Sequence, residues 1–365
     1  MLGLWMAAAP APAAPPESAR RLGRFGVTWT FDREYPVGTF VNGDPWVVGR
    51  VRIVQITPAS EKLANGRVVN GSMVNPRVHG DSGFDSLAGG KYRPELNVAW
   101  GLDAAQPLTL PPGSSLLSAV SAAGGDSKRP LETIAVLTVL DAPPPGDAFR
   151  PPYAAGDKAV RFRFAQVDAA RLPRLKVVGT PPAWERVNAL VERPFVDFAP
   201  NWNRYHIATA KNGALYGRDT SQQVSLVTAM LIADYPPEEK RSALIGLIQR
   251  GIDLYGLFTY WSERREQCPF PWNSDGGHSS GRKWPIVFAG AMLGDEAMTR
   301  VGHAAPGRFH EDAQTVYITA EHVALTNSDR WRPPYDGKHG KQPYTERMIG
   351  MPEWVGNRNP EQANA

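Results

Sequence analysis

The sequence predicts a multidomain chain of α and β elements, an N-terminal β-sandwich followed by an array of α-helical hairpins. Three observations carry this reading. The hydrophobic period changes along the chain from about two residues to about 3.6. A proline-rich stretch separates the two regimes. And 365 residues exceed one ordinary domain and can bury two cores. Hydrophobic content of 42% with 21% charged residues is a globular composition, and 35 Gly with 34 Pro predict many turns.

The strand regime runs from Phe25 to about Leu140. Val27–Phe31 is β-branched and aromatic, and Trp46–Ile56 alternates apolar with polar residues in its second half, the mark of a sheet with one buried face. Asn42-Gly43-Asp44-Pro45 between them is a turn signal. Leu116–Val120 and Thr133–Leu140 supply further strands, the second apolar enough for a core. Short strands, frequent turns and no intervening amphipathic helix point to a sandwich.

Asp141–Gly146 and Arg150–Tyr153 are proline-rich and linker-like, Ala159–Phe164 is a short alternating piece that reads as another strand, and Pro181-Pro182 closes the transition. The expected organisation is therefore a leader over 1–19, a sandwich-like domain with its linker over 20–180, and a helical domain over 181–365. In the last, Asp219–Ala233 has helical spacing, and Pro236-Pro237-Glu238-Glu239 starts a second helix striped by Leu244, Ile248, Ile252 and Tyr255. Trp284–Leu293 is a third, and Asp295–Val301 begins a fourth. Thr315–Thr319 reads equally as a strand or a helical turn.

Several function classes recede. A net charge of +4 without a Lys/Arg stripe does not suit a nucleic-acid binder. Cys268 is the single cysteine, so neither an internal disulfide nor a thiolate metal site can form. His303, His310 and His322 lack zinc spacing, and no phosphate-binding loop, dinucleotide fingerprint or nucleophile elbow is present. No metal and no cofactor is expected. The first nineteen residues pass from apolar to Ala/Pro with no basic residue before Arg20. They read as an atypical or mis-started signal peptide or as a disordered leader, and export to a secreted or periplasmic location is the favoured expectation. No apolar run is long enough for a transmembrane segment. Oligomeric state is not legible.

Two segments concentrate chemistry. Trp272–Lys283 holds Asp275, Gly276, Gly277, His278, Arg282 and Lys283 and leads directly into the helix opened by Trp284. Glycines allow close approach, a helix N-terminus attracts anions, and His278 can exchange a proton near neutral pH. The bland alternative is a Gly/Ser surface loop. Asp197–His206 gathers Asn201, Trp202, Asn203, Arg204, Tyr205 and His206, with an interdomain crossing as its bland alternative. Tyr216-Gly217-Arg218-Asp219 is a weaker third element, in which Arg218 is a candidate anion contact and Asp219 reads first as a helix cap. Gly350–Trp354, with an acid beside an aromatic, is weaker still.

The Asn/Trp/Arg/Tyr/His cluster at Asn201–His206 and the Gly-Gly-His…Gly-Arg-Lys-Trp-Pro loop at Gly276–Pro285 resemble the helical part of secreted polysaccharide-degrading proteins with an α/α-toroid, particularly uronate-type polysaccharide lyases. The likeness covers about residues 190–300 and implies that the helical array is a partial toroid. It implies β-elimination on an acidic, uronate-containing polysaccharide, with Tyr205 or His206 as base, His278 and Asn201 neutralising the uronate carboxylate, and Arg282 as anion clamp. Trp202, Arg204, Arg218, Trp272, Asp275, Lys283 and Trp284 would contact substrate. One departure matters: a closed toroid needs more helical hairpins than this sequence shows. A glycoside hydrolase on the same scaffold, using Asp275 with Asp219 or Glu353, and a non-catalytic glycan-binding or structural surface protein are the alternatives.

Overall fold

The computed structural model describes residues 16–77, 81–198, 207–211, 214–264, 272, 277–304, 309–313, 315–328 and 343–354. Its N-terminal part is one curled sheet rather than a sandwich of two. The strands are β1 (Glu17–Arg24), β2 (Val27–Thr39), β3 (Pro45–Val48), β4 (Val51–Thr57), β7 (Ser72–Val74), β8 (Leu108–Leu110), β9 (Ser114–Ser121) and β10 (Leu131–Leu140), while β5 (Glu61–Lys62) and β6 (Val68–Val69) form a separate ribbon. Their order is β7-β9-β10-β3-β2-β4-β8, with β1 added to β2. All pairings are antiparallel except β10 with β3.

Alternation along β9 and β10 explains why one sheet suffices. Leu116, Ala135, Leu137 and Val139 face a core with Trp29, Phe31, Val47 and Ile53, inside the curl of the sheet. Their neighbours Leu117, Ala119, Ile134 and Val136 face the opposite way, into a core shared with the helices. A strand buried on both faces reads as a continuous apolar run, which is what Thr133–Leu140 is. A period-two pattern identifies a covered face but not what covers it. Here helices take the place of the expected second sheet.

The helices are α1 (Trp184–Ala189), α2 (Gly217–Ile232), α3 (Pro237–Ser262), α4 (Lys283–Leu293), α5 (Glu296–Thr299), α6 (Val301–Ala304), α7 (His310–Ala313) and α8 (Ala320–Thr326), with a small ribbon of β11 (Thr315–Tyr317) and β12 (Pro352–Trp354). Only α2, α3 and α4 exceed ten residues, so the described helices do not build the expected partial toroid. They gather around α3, which is buried on all sides over Ala243–Leu254. The shared core runs without a break from Met73 and Phe84, through Phe149 and Tyr153, to Ile286 and Phe309, across the boundary expected near residue 181.

An apolar helix can be surrounded at no polar cost, but α3 carries Gln249, Arg250 and Asp253 into the interior. Asp253 is matched by Arg150, 1% exposed, in the proline-rich segment that the sequence presents as a linker. The Arg150 Nη1 and Nη2 atoms donate to the two oxygens of Asp253 at 2.9 and 2.6 Å, and Nε donates to Asp44 Oδ2 at 2.7 Å. Gln249 completes the joint by accepting from the Arg150 N–H and donating to its carbonyl, both at 3.0 Å. Burial alone would lower the Arg150 pKa, but Asp253 and Asp44 outweigh it and hold the guanidinium charged. The Pro151-Pro152 segment lies flush on α3 because position 256 is glycine: a Cβ there would stand 2.2 Å from Pro152 Cβ.

Nearby, the Lys158 ammonium is buried and donates to the carbonyls of Pro152 and Ala154. Burial, then the charge of Arg150, lowers its pKa to about 7.

Two expectations follow. Arg150→Met strands the buried Asp253 carboxylate and leaves Asp44 with Arg24 alone, at 3.3 Å, and should cost about 3–5 kcal/mol, read from urea unfolding; adding Asp253→Asn should recover part of the loss. An unchanged midpoint in the single variant would refute the clamp. For Lys158, the unfolded side chain holds its proton up to about 10.5 and the folded one only to about 7. Between those values the unfolded state binds more protons, so stability rises with pH. Relative to Lys158→Met, the wild-type chain should gain roughly 1–3 kcal/mol between pH 7 and 10; a flat difference in parallel urea titrations would contradict the buried lysine.

Candidate functional site

The loop before α4 folds back on the start of α2. Gly217, the first residue of α2, lies against the carbonyls of Gly277 and His278, where a Cβ would come within 2.1 Å of the His278 oxygen. This contact sets the phenol of Tyr216 beside the loop: its Oη accepts the Gly277 N–H at 2.9 Å, and its ring meets the His278 imidazole edge-to-face at 4.8 Å. Arg218, exposed on the next residue, carries its guanidinium over the same phenol ring at 5.8 Å. Phenol, imidazole and guanidinium thus converge at a partly exposed corner. Among the described residues, the weaker third element of the sequence is what the fold brings to His278.

Asn201, Trp202, Arg204, Tyr205, His206 and Asp275 lie outside the described residues. Their expected convergence with His278 therefore has no geometry to report.

The remaining loop charges are engaged inside the protein. Arg282, expected as an anion clamp, is 1% exposed and forms a two-pronged pair with Asp197, Nε to Oδ2 at 3.0 Å and Nη2 to Oδ1 at 3.1 Å. Its Nη1 donates to the carbonyls of Ser280 and His278 at 2.7 and 3.2 Å, so the clamp grips the loop itself. Trp272, expected to face substrate, is buried; its indole N–H donates to Asp197 Oδ2 at 2.6 Å and its ring stacks on Phe309 at 5.7 Å. Lys283 is paired with Asp312. The α4 N-terminus does attract an anion, but an internal one: Glu311 Oε1 accepts from the Gly281 and Arg282 N–H groups at 2.7 and 3.2 Å. Burial raises the Glu311 carboxyl above the ordinary range, and its own backbone N–H, the Gly281 N–H and the Arg282 charge offset only part of that rise. Trp284 is half-exposed at 44% and donates its indole N–H to Thr228 Oγ1 at 2.8 Å.

Local sequence could have raised the rank of Tyr216. A glycine opening a helix directly after an aromatic residue is a place where another backbone can approach, and here that backbone is the Gly-Gly-His loop. Nothing local marks Asp197 as the partner of Arg282, which lies 85 residues away.

Among the described residues, no group of three or more His, Cys, Asp and Glu side chains could hold a metal ion, and no helix is long and apolar enough to cross a membrane.

Stability should separate the two kinds of loop residue. Arg282→Ala leaves Asp197 buried without its cation and should lower unfolding free energy by about 3–5 kcal/mol. His278→Ala, at a partly exposed corner, should change it by less than about 1 kcal/mol. Equal losses in chemical denaturation would contradict this division. Compared with protein-family models, curated proteins and solved structures, the chain matches none.

Proposed function

We propose that this chain is an exported carbohydrate-active protein that cleaves an acidic, uronate-containing polysaccharide by β-elimination at the Tyr216–Arg218–His278 corner. The observation that carries this is the edge-to-face pair of Tyr216 and His278 under an exposed guanidinium. Elimination needs a base for the proton α to the uronate carboxylate, a donor or cation for the charge that then develops on that carboxylate, and a proton for the departing glycosidic oxygen. Tyr216 is suited to take the carbon proton and return it to the leaving oxygen. His278 and Arg218 are suited to meet the carboxylate. One C–H and one C–O bond break, one C=C bond forms, and the proton ends on the leaving group. Immobility of the corner favours this use: Tyr216 Oη is held by Gly277, and the His278 carbonyl by Arg282.

A hydrolase needs two carboxylates flanking the scissile bond. Of the described acids near the loop, Asp197, Glu311 and Asp312 are engaged with internal partners, and Asp219 pairs with Arg218 at 3.4 Å, so the corner presents one accessible carboxylate where hydrolysis needs two. A non-catalytic glycan-binding surface is the second reading, favoured by the exposed indole of Trp284.

The test is incubation with soluble polyuronates while following ultraviolet absorbance of the unsaturated sugar product. Wild-type protein should generate it, and Tyr216→Phe and His278→Ala should lower turnover by about 10²–10⁴-fold. New reducing ends without absorbance would replace elimination by hydrolysis. Polymer binding without any product, undiminished in His278→Ala, would leave the binding-surface reading in its place.

A further inference from the structure

A cavity of about 320 Å³ shares no residue with that corner. It lies between the Phe149–Phe162 segment and the C-terminal half of α3, and Asp295 and Ala297 at the start of α5 close one side. Its volume falls within the range of small-molecule sites. Phe149, Phe162, Tyr255 and Tyr260 line it with rings, and Pro151 and Pro152 extend the apolar wall.

These walls are already fixed in place. Arg150 bolts the segment to α3 through Asp253, and Lys158 ties down the carbonyls of Pro152 and Ala154. A ligand would meet a preformed surface and would not have to order it.

The charges on the wall select the ligand. Arg150 is neutralised by Asp44 and Asp253, Asp157 pairs with Arg161 at 2.6 Å, and Glu263 pairs with Arg264 at 2.8 Å. Asp295 differs. Its Oδ1 accepts the Met298 N–H as a helix cap, and among the described residues it forms no ion pair. Its negative charge also reaches Tyr255, whose phenol is raised above its ordinary pKa by burial first and by Asp295 second, with the charge of Arg161 offsetting part of the rise. An aromatic and proline wall with one uncompensated carboxylate favours a positive charge on a small apolar body. An anion would be repelled.

We infer that this cavity binds a small organic ammonium compound, its cationic head between the Asp295 carboxylate and the Tyr255 ring. The site is separate from the elimination corner and opposite to it in charge preference.

Calorimetric titration of the whole protein with choline tests this, with glucose and glucuronate as neutral and anionic comparators. Choline should bind, and the two sugars should not. Asp295→Asn keeps a side-chain oxygen to cap Met298 but loses the charge, so choline affinity should fall roughly tenfold or more with the melting temperature unchanged. Tyr255→Leu, at a half-buried position, should weaken choline to a similar degree. Absence of choline binding, equal binding of glucose, or undiminished affinity in Asp295→Asn would each overturn the assignment.

Discussion

The rest of the structure hangs on the guanidinium of Arg150. Asp44 sits in the turn between β2 and β3, and Asp253 in the middle of α3, so a single side chain holds sheet and central helix to the segment between them. A charge buried this deeply is tolerated only when both partners are in place. That requirement makes the arrangement specific: any packing of sheet against helix that separated Asp44 from Asp253 would strand a charge. The apolar core supplies most of the driving force, but it would accept many relative placements. The ion triad accepts very few.

The same joint reaches the candidate site through successive polar contacts. The Tyr153 N–H donates to Asp253 Oδ1 at 3.2 Å, and the Tyr153 Oη donates to the Phe195 carbonyl at 2.8 Å while accepting the Asp197 N–H at 3.2 Å. Asp197 holds Arg282, which in turn holds the His278 carbonyl. Burial, and then the negative charges of Asp253 and Asp197, raise the Tyr153 phenol well above its ordinary pKa, so it remains the neutral donor that this chain of contacts requires. Arg282 and Trp272 therefore serve the loop by fixing it. The groups that face outward, Tyr216, Arg218 and His278, are positioned by residues the sequence presents as ligands.

What was legible in the sequence follows from how local each signal is. Helix α3 begins at Pro237, the second residue of the Pro-Pro-Glu-Glu signal, because proline geometry and acids at a dipole act within one turn. Helix α4 begins at Lys283 and ends at Leu293, where Gly294 adopts a left-handed φ of 72°. The β10 run is visible because burial on both faces leaves no polar alternation. By contrast, Trp46–Ile56 reads as one strand but is split into β3 and β4 around Gly49, whose φ of 94° marks where the chain steps from one side of β2 to the other while keeping its direction. The sandwich expectation fails for a non-local reason: which surface covers a sheet face is decided by chain distant in sequence. Arg150 lies 106 residues from Asp44 and 103 from Asp253, and no window spans such pairs.

Fixing the loop this firmly carries a cost that shows at Phe195. Two buried guanidiniums lie over its ring, Arg282 at 5.2 Å and Arg250 at 4.9 Å from the centroid. Arg250 donates to the Leu190 carbonyl at 2.5 Å, while its Nε and Nη1 have no hydrogen-bond partner among the described residues. Burial, and then repulsion from Arg282, lowers its pKa to about 10. It still carries its charge near neutral pH, and the Phe195 ring offers both cations a weak electrostatic partner in place of water. Hydrophobic replacements at Arg250 and Arg282 would relieve the repulsion but release Asp197 and the His278 carbonyl together. A fold under selection for stability alone would shed such a pair. Its presence fits a loop whose geometry matters more than its contribution to folding, which is the condition the Tyr216–His278 corner would need in order to act on a substrate.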